Sequence, residues 1–127
     1  MREVRKQDQL PQITDRIVLR RTGKEATKMI RWMRSGQVAH PKYPQAMQWA
    51  KEITEFVNKK YRIQTSVYFE TFGKVGTIRW FTDHADFAAY EKVRNQYLAD
   101  QEYWQIVNRS ADLFIQGSFF DTFMQSI

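Results

Sequence analysis

A chain of 127 residues is the length of one ordinary domain, and 43% hydrophobic with 27% charged residues is the balance of a soluble globular protein. It contains no cysteine, which excludes a disulfide framework and any thiolate metal site and is the usage expected of the cytoplasm. Lys plus Arg outnumber Asp plus Glu by 20 to 14, but the basic residues are scattered rather than gathered into a nucleic-acid stripe, so nucleic acid is not the expected partner.

The opening MREVRKQDQLPQ has neither an apolar leader nor a membrane-spanning run, so no membrane partner is expected. Residues 1–14 are polar and read as a flexible tail, with a single domain over 15–127. RIVLRR, residues 16–21, is a β-branched run that reads as a first strand. Lys24 to Ser35 places Ala26, Met29, Ile30 and Met33 at helical spacing, with Gly36 as its stop. Pro41 and Pro44 then interrupt the chain, so residues 36–44 read as a loop inserted into a broken helix. From Gln45 to Tyr61, residues Ala46, Trp49, Ala50, Ile53, Phe56 and Val57 form the strongest helical stripe in the chain.

Arg62–Phe72 and Val75–Phe81 read as two strands joined at Gly73-Lys74, a pair suited to a type II′ turn. Thr82 or Asp83 is expected to cap the helix that follows, whose stripe is Phe87, Tyr90, Val93 and Tyr97. Asp112–Met124 reads as a long aromatic strand bent at Gly117. The order strand, broken helix, strand, strand, helix, strand predicts an α+β fold. It is a ferredoxin-like βαββαβ domain, with an antiparallel sheet and its helices on one face.

Strand alternation about the Gly73-Lys74 turn puts Val67, Phe69, Ile78 and Trp80 on one face, wholly apolar and destined for the helices. The other face carries Tyr68, Glu70, Phe72, Thr77, Arg79 and Phe81. An apolar patch of that size is rarely left bare on a monomer, so a second copy or a ligand should cover it.

These features resemble the dimeric α/β-barrel superfamily. The stretch GTIRWFTDHADFAAYEKVRNQYLADQEYW is similar to its NIPSNAP-like and antibiotic-biosynthesis-monooxygenase-like branches, with Asp100, Tyr103 and Trp104 as a D-x-x-W-like ending. The resemblance covers about residues 16–124 and implies a homodimer whose sheets close a barrel around a cavity. It would place Tyr68, Glu70, Phe72, Thr77 and Arg79 in that cavity. There, Arg79 would hold an anionic or enolate oxygen and Glu70 would tune it, unless the two form an ordinary cross-strand ion pair.

The two histidines, His40 and His84, have no metal-ligand spacing, and neither a metal nor another cofactor is expected. His84 reads as a helix first-turn residue, either a solvated cap or a proton donor or acceptor at the cavity mouth. His40 and Tyr43 face a ligand if the 36–44 loop is a lid. The function expected is an enzyme or binder for a small hydrophobic or aromatic molecule, monooxygenase-like. The alternatives are an RNA-binding module stacking bases on the sheet aromatics and a non-catalytic structural dimer.

Overall fold

A computed structural model describes residues 28–127. The expected tail over 1–14 and the expected strand over 16–21 lie outside the described residues. Seven elements follow in order: β1 Ile30–Gln37, α1 Tyr43–Tyr61, β2 Ser66–Phe69, β3 Thr77–His84, α2 Phe87–Leu98, α3 Gln101–Asn108 and β4 Phe120–Gln125. The sheet order is β2-β3-β1-β4, with every neighbouring pair antiparallel. The α+β ferredoxin-like arrangement is therefore present. Strands β1 and β2 flank β3 and run parallel to each other, connected through α1; β3 and β4 flank β1 and are connected through α2 and α3.

The first strand corrects the sequence reading. Residues 30–35, expected as helix, are extended, because β1 is central and hydrogen-bonded to β3 on one side and β4 on the other. Apolar residues at 29, 30 and 33 fit a helical stripe, but pairing along both edges of a strand outweighs so weak a preference. Gly36 is accordingly not a helix stop. It lies beneath the Phe119 ring, where a Cβ would stand 2.6 Å from that ring's Cε1. The 36–44 segment is the connection from β1 to α1. It is tied down by Val38 N–H to the Gly76 carbonyl and Ala39 N–H to the Leu113 carbonyl, both 2.9 Å.

The helix expected from residue 45 forms as α1, with Pro44 in its first turn. Its stripe of Ala46, Trp49, Ala50, Ile53 and Val57 is buried. The hairpin keeps the expected register, with Tyr68 opposite Arg79, Val67 opposite Trp80 and Phe69 opposite Ile78. β2 is shorter than the expected Arg62–Phe72, β3 starts two residues later than expected, and their connection is wider, spanning 70–76 with Gly73 at φ 86°. The Glu70 carboxylate closes that loop by accepting from Lys74 N–H at 2.9 Å.

Strand β3 runs on to His84, opposite Ile30, so neither Thr82 nor Asp83 caps a helix. Asp86 caps α2, accepting from Ala89 N–H at 2.8 Å. A further helix, α3, absorbs Tyr103 and Trp104 and is started by Asp100, whose carboxylate also holds Lys60 Nζ at 2.8 Å and the Tyr61 hydroxyl. The last strand is confined to 120–125, with Gly117 at φ 81° in the turn before it. All three helices pack on one sheet face: Trp49 of α1 meets Trp80 of β3, Tyr90 of α2 stacks on Trp32 of β1, and Trp49 Nε1 donates to the α3 carbonyl of Ile106 at 2.8 Å.

Candidate functional site

Between that sheet face and the helices lies a cavity of about 600 Å³. Strand alternation supplies its floor: Trp32 and Arg34 from β1, Trp80, Thr82 and His84 from β3, and Asp121 from β4. Helical spacing supplies its roof: Trp49, Ile53 and Val57 from α1, Tyr90, Val93 and Tyr97 from α2, Tyr103 and Val107 from α3.

Two polar clusters interrupt the apolar wall. In the first, Arg34 and Asp121 form a two-pronged ion pair, Nε to Oδ1 at 2.7 Å and Nη2 to Oδ2 at 3.0 Å. The guanidinium carbon lies 5.4 Å from the Trp32 ring centroid. Burial alone would push the Asp121 carboxyl up, but hydrogen bonding and charge from Arg34 outweigh it and hold the group below its ordinary value. Burial raises the phenols of Tyr90, Tyr97 and Tyr103, which therefore remain protonated donors at neutral pH.

The second cluster is Thr82 and His84, Oγ1 to Nε2 at 2.8 Å, with the Tyr90 ring edge-on to the imidazole at 5.4 Å. Burial depresses the His84 pKa against a smaller opposing pull from Asp83. Burial therefore favours the neutral imidazole, whose Nε2 is engaged by Thr82.

The depressed histidine carries a stability consequence. The unfolded chain takes up a proton as pH falls through about 6.5, while the folded chain resists until a lower pH, so this contribution is present above that value and lost below it. Thermal unfolding of the wild type should drop between about pH 7 and pH 5, before carboxylates titrate, and His84→Gln should flatten that segment of the profile. Parallel profiles for the two proteins would refute a buried neutral His84.

Of the other indole donors in the wall, Trp49 Nε1 is satisfied by Ile106, and Trp80 Nε1 donates to Thr54 Oγ1 at 3.1 Å. Trp32 Nε1 is buried and has no hydrogen-bond partner of normal length among the described residues. The Asp121 carboxylate is near enough to feel it but is already held by Arg34. A buried N–H donor without a partner is costly, and Trp32 is one of the residues that line the cavity.

Of the eight residues singled out in the sequence, the structure brings only His84 to this cavity. It does so as a buried strand residue, not a helix first-turn residue. Tyr68, Glu70, Thr77 and Arg79 lie on the opposite sheet face. There Arg79 Nε and Nη2 reach Glu70 Oε1 at 3.0 and 2.9 Å, and the Glu70 pKa is lowered first by the Lys74 N–H and then by Arg79. Thr77 is buried, and Phe72 is 88% exposed at the hairpin tip. Tyr43 packs edge-on to Phe69 and His40 edge-on to Tyr43, away from the cavity. Trp32, Arg34, Asp121 and the three tyrosines were not foreseen; the signal for the first two was the alternation in IRWMRS once it is read as strand.

Among the described residues no helix is long and apolar enough to cross a membrane, and no three His, Asp or Glu side chains are grouped to hold a metal ion. The family model described as NIPSNAP matches residues 32–123. Solved structures share the fold. A NIPSNAP family protein of unknown function from Agrobacterium tumefaciens superposes with a TM-score of 0.67 at 13% identity, over 77% of this chain and 87% of that one. A NIPSNAP-like domain protein from Burkholderia xenovorans gives 0.68 at 12% identity, over 78% and 85%. A protein described as an antibiotic biosynthesis monooxygenase gives 0.59 at 9% identity, over 77% and 98%. No curated protein matches.

Proposed function

The chain belongs to the NIPSNAP family, and we propose that it binds a small, flat, aromatic molecule carrying an oxygen function in the cavity between its sheet and its helices. One observation carries this reading: three indole rings line the cavity, and the Trp32 N–H among them has no partner of normal length among the described residues. Aromatic walls give apolar burial and ring stacking, and a few fixed polar groups set orientation. The Trp32 N–H and the Arg34 guanidinium meet the ligand oxygen at one side, and neutral His84 hydrogen-bonds a ligand hydroxyl at the other. The shared fold of a protein described as an antibiotic biosynthesis monooxygenase is in keeping with this.

We propose also that a second copy covers the opposite sheet face, where Tyr68 and Met124 are exposed. In that dimer Glu70 and Arg79 are an enclosed interface pair.

The cavity reading is tested by the chain's own fluorescence, since Trp32, Trp49 and Trp80 line the cavity and only Trp104 stands apart, its N–H on the Leu98 carbonyl. Titration with 2-naphthol should quench emission saturably with one site per chain. Trp32→Phe, which keeps the ring but not the N–H, should weaken 2-naphthol about fivefold and naphthalene hardly at all, the usual worth of one hydrogen bond. Linear, unsaturable quenching would sink the proposal.

A further inference from the structure

A second cleft, about 460 Å³, opens at the end of the sheet, lined by Arg31, Arg62, Gln64, Ser66, Phe81 and Asp83. It shares Ile63, Thr82 and His84 with the aromatic cavity, so the two spaces adjoin at the imidazole. The two spaces differ in chemistry. One is walled by indole and aliphatic side chains, the other by polar ones.

Charge in the cleft is unbalanced. Asp83 is taken up by Arg31, Oδ1 to Nε at 2.7 Å and Oδ2 to Nη2 at 2.9 Å. Arg62 has no ion pair among the described residues and leaves one positive charge facing the cleft. A cation just past α1 is favoured by the helix dipole, but that needs no arginine at this position. Arg62 is the residue after α1 and sits in the left-handed region, φ 56°, where glycine or asparagine costs least. Among the described residues, no other non-glycine residue has positive φ. An arginine held there against its backbone preference points to a use for its side chain.

We infer that the natural ligand is amphipathic, with its aromatic body in the cavity and an oxyanion head group, carboxylate or phosphate, on Arg62 in the cleft. This inference rests on the cavity reading above. Gln64 and Ser66 offer further hydrogen bonds to such a head, and His84 stands where body and head join.

The test compares 2-naphthoate and 2-naphthyl phosphate with neutral 2-naphthamide by tryptophan quenching, in the wild type, Arg62→Lys and Arg62→Gly. The wild type should prefer an anionic probe, and the tighter of the two assigns the head group. Arg62→Gly should weaken the anionic probes about fivefold, the usual scale of an exposed charge contact, and leave 2-naphthamide unchanged. The same variant should melt no lower than the wild type, since glycine relieves the left-handed backbone. Arg62→Lys should keep most of the preference. Equal binding of anionic and neutral probes, or a preference indifferent to Arg62→Gly, overturns the amphipathic ligand and leaves the cavity reading standing. Failure of all three probes to bind overturns both.

Discussion

Trp80→Ala is expected to remove about 3–5 kcal/mol of stability, the usual range for deleting a buried tryptophan side chain. Trp80 is 6% exposed and sits where the layers of the fold meet. Its ring is edge-on to Trp49 at 6.2 Å, stacked on Phe119 at 6.4 Å, and tilted against Phe114 at 6.3 Å. Its N–H also binds Thr54 Oγ1, whose own proton goes to the Ala50 carbonyl at 2.7 Å. Alanine would leave the Thr54 oxygen short of a donor and merge the vacated space with the existing cavity. Neighbours cannot collapse into it, because the strand and α1 are both held by their own hydrogen bonds. Trp80→Phe keeps most of the ring and should cost about 1–2 kcal/mol, one hydrogen bond plus some volume. Trp104→Ala, whose ring is 41% exposed, should cost far less. Denaturant midpoints at unchanged slope would read these values. A loss below about 1 kcal/mol for Trp80→Ala would mean that this ring does not bind the layers together. Since a domain is stable by only about 5–15 kcal/mol, the expected loss is a large share of the whole.

Trp80 also shows what was legible in the sequence. Alternation from one turn placed Val67, Phe69, Ile78 and Trp80 under the helices, and Tyr68 opposite Arg79, although the turn itself proved wider. A two-residue period survives a change in loop shape so long as the pairing register is kept. The stripe of α1 was equally plain, since nineteen helical residues repeat their pattern several times over. β1 was not legible. Its eight residues place Met33 and Ile30 at helical spacing as readily as they place Trp32 and Arg34 on one strand face, and only pairing with two distant strands decides between them. The candidate site was lost with it. Arg34 meets Asp121 across 87 positions of sequence, and no local pattern announces such a pair. His84 was picked out for its chemistry but put on the wrong element, because Thr82 and Asp83 are good caps and nothing local says that β3 continues past them. Apart from Phe72, which falls in the loop at the hairpin tip, the residues of the opposite face were read correctly as a mixed aromatic surface. The cavity was sought there because that face looked unfinished, while the helices leave their own space on the other side.

The unfinished face leads to the second large expected effect. If a second copy covers it, the aspartate substitutions Tyr68→Asp and Met124→Asp together should convert a dimer into a monomer. Both side chains are exposed in the single chain, 61% and 42%, and they stand on β2 and β4 at opposite edges of the same face. Their replacement should therefore alter the folding of one chain little, as surface substitutions usually do. In a face-to-face dimer each aspartate would be carried into an apolar interface without a partner, a desolvation cost of several kcal/mol. Spread over the two sites, that should raise the dissociation constant by at least about 100-fold. Lys51→Asp, on the exposed outer side of α1, serves as a control for added charge alone. Light scattering across a concentration series would show wild type and Lys51→Asp at twice the chain mass, and the double variant at 15.3 kDa. A wild type that scatters as a monomer at every concentration would remove the second copy from the account. A double variant that stays dimeric would move the interface off this face, and Arg79 and Glu70 with it.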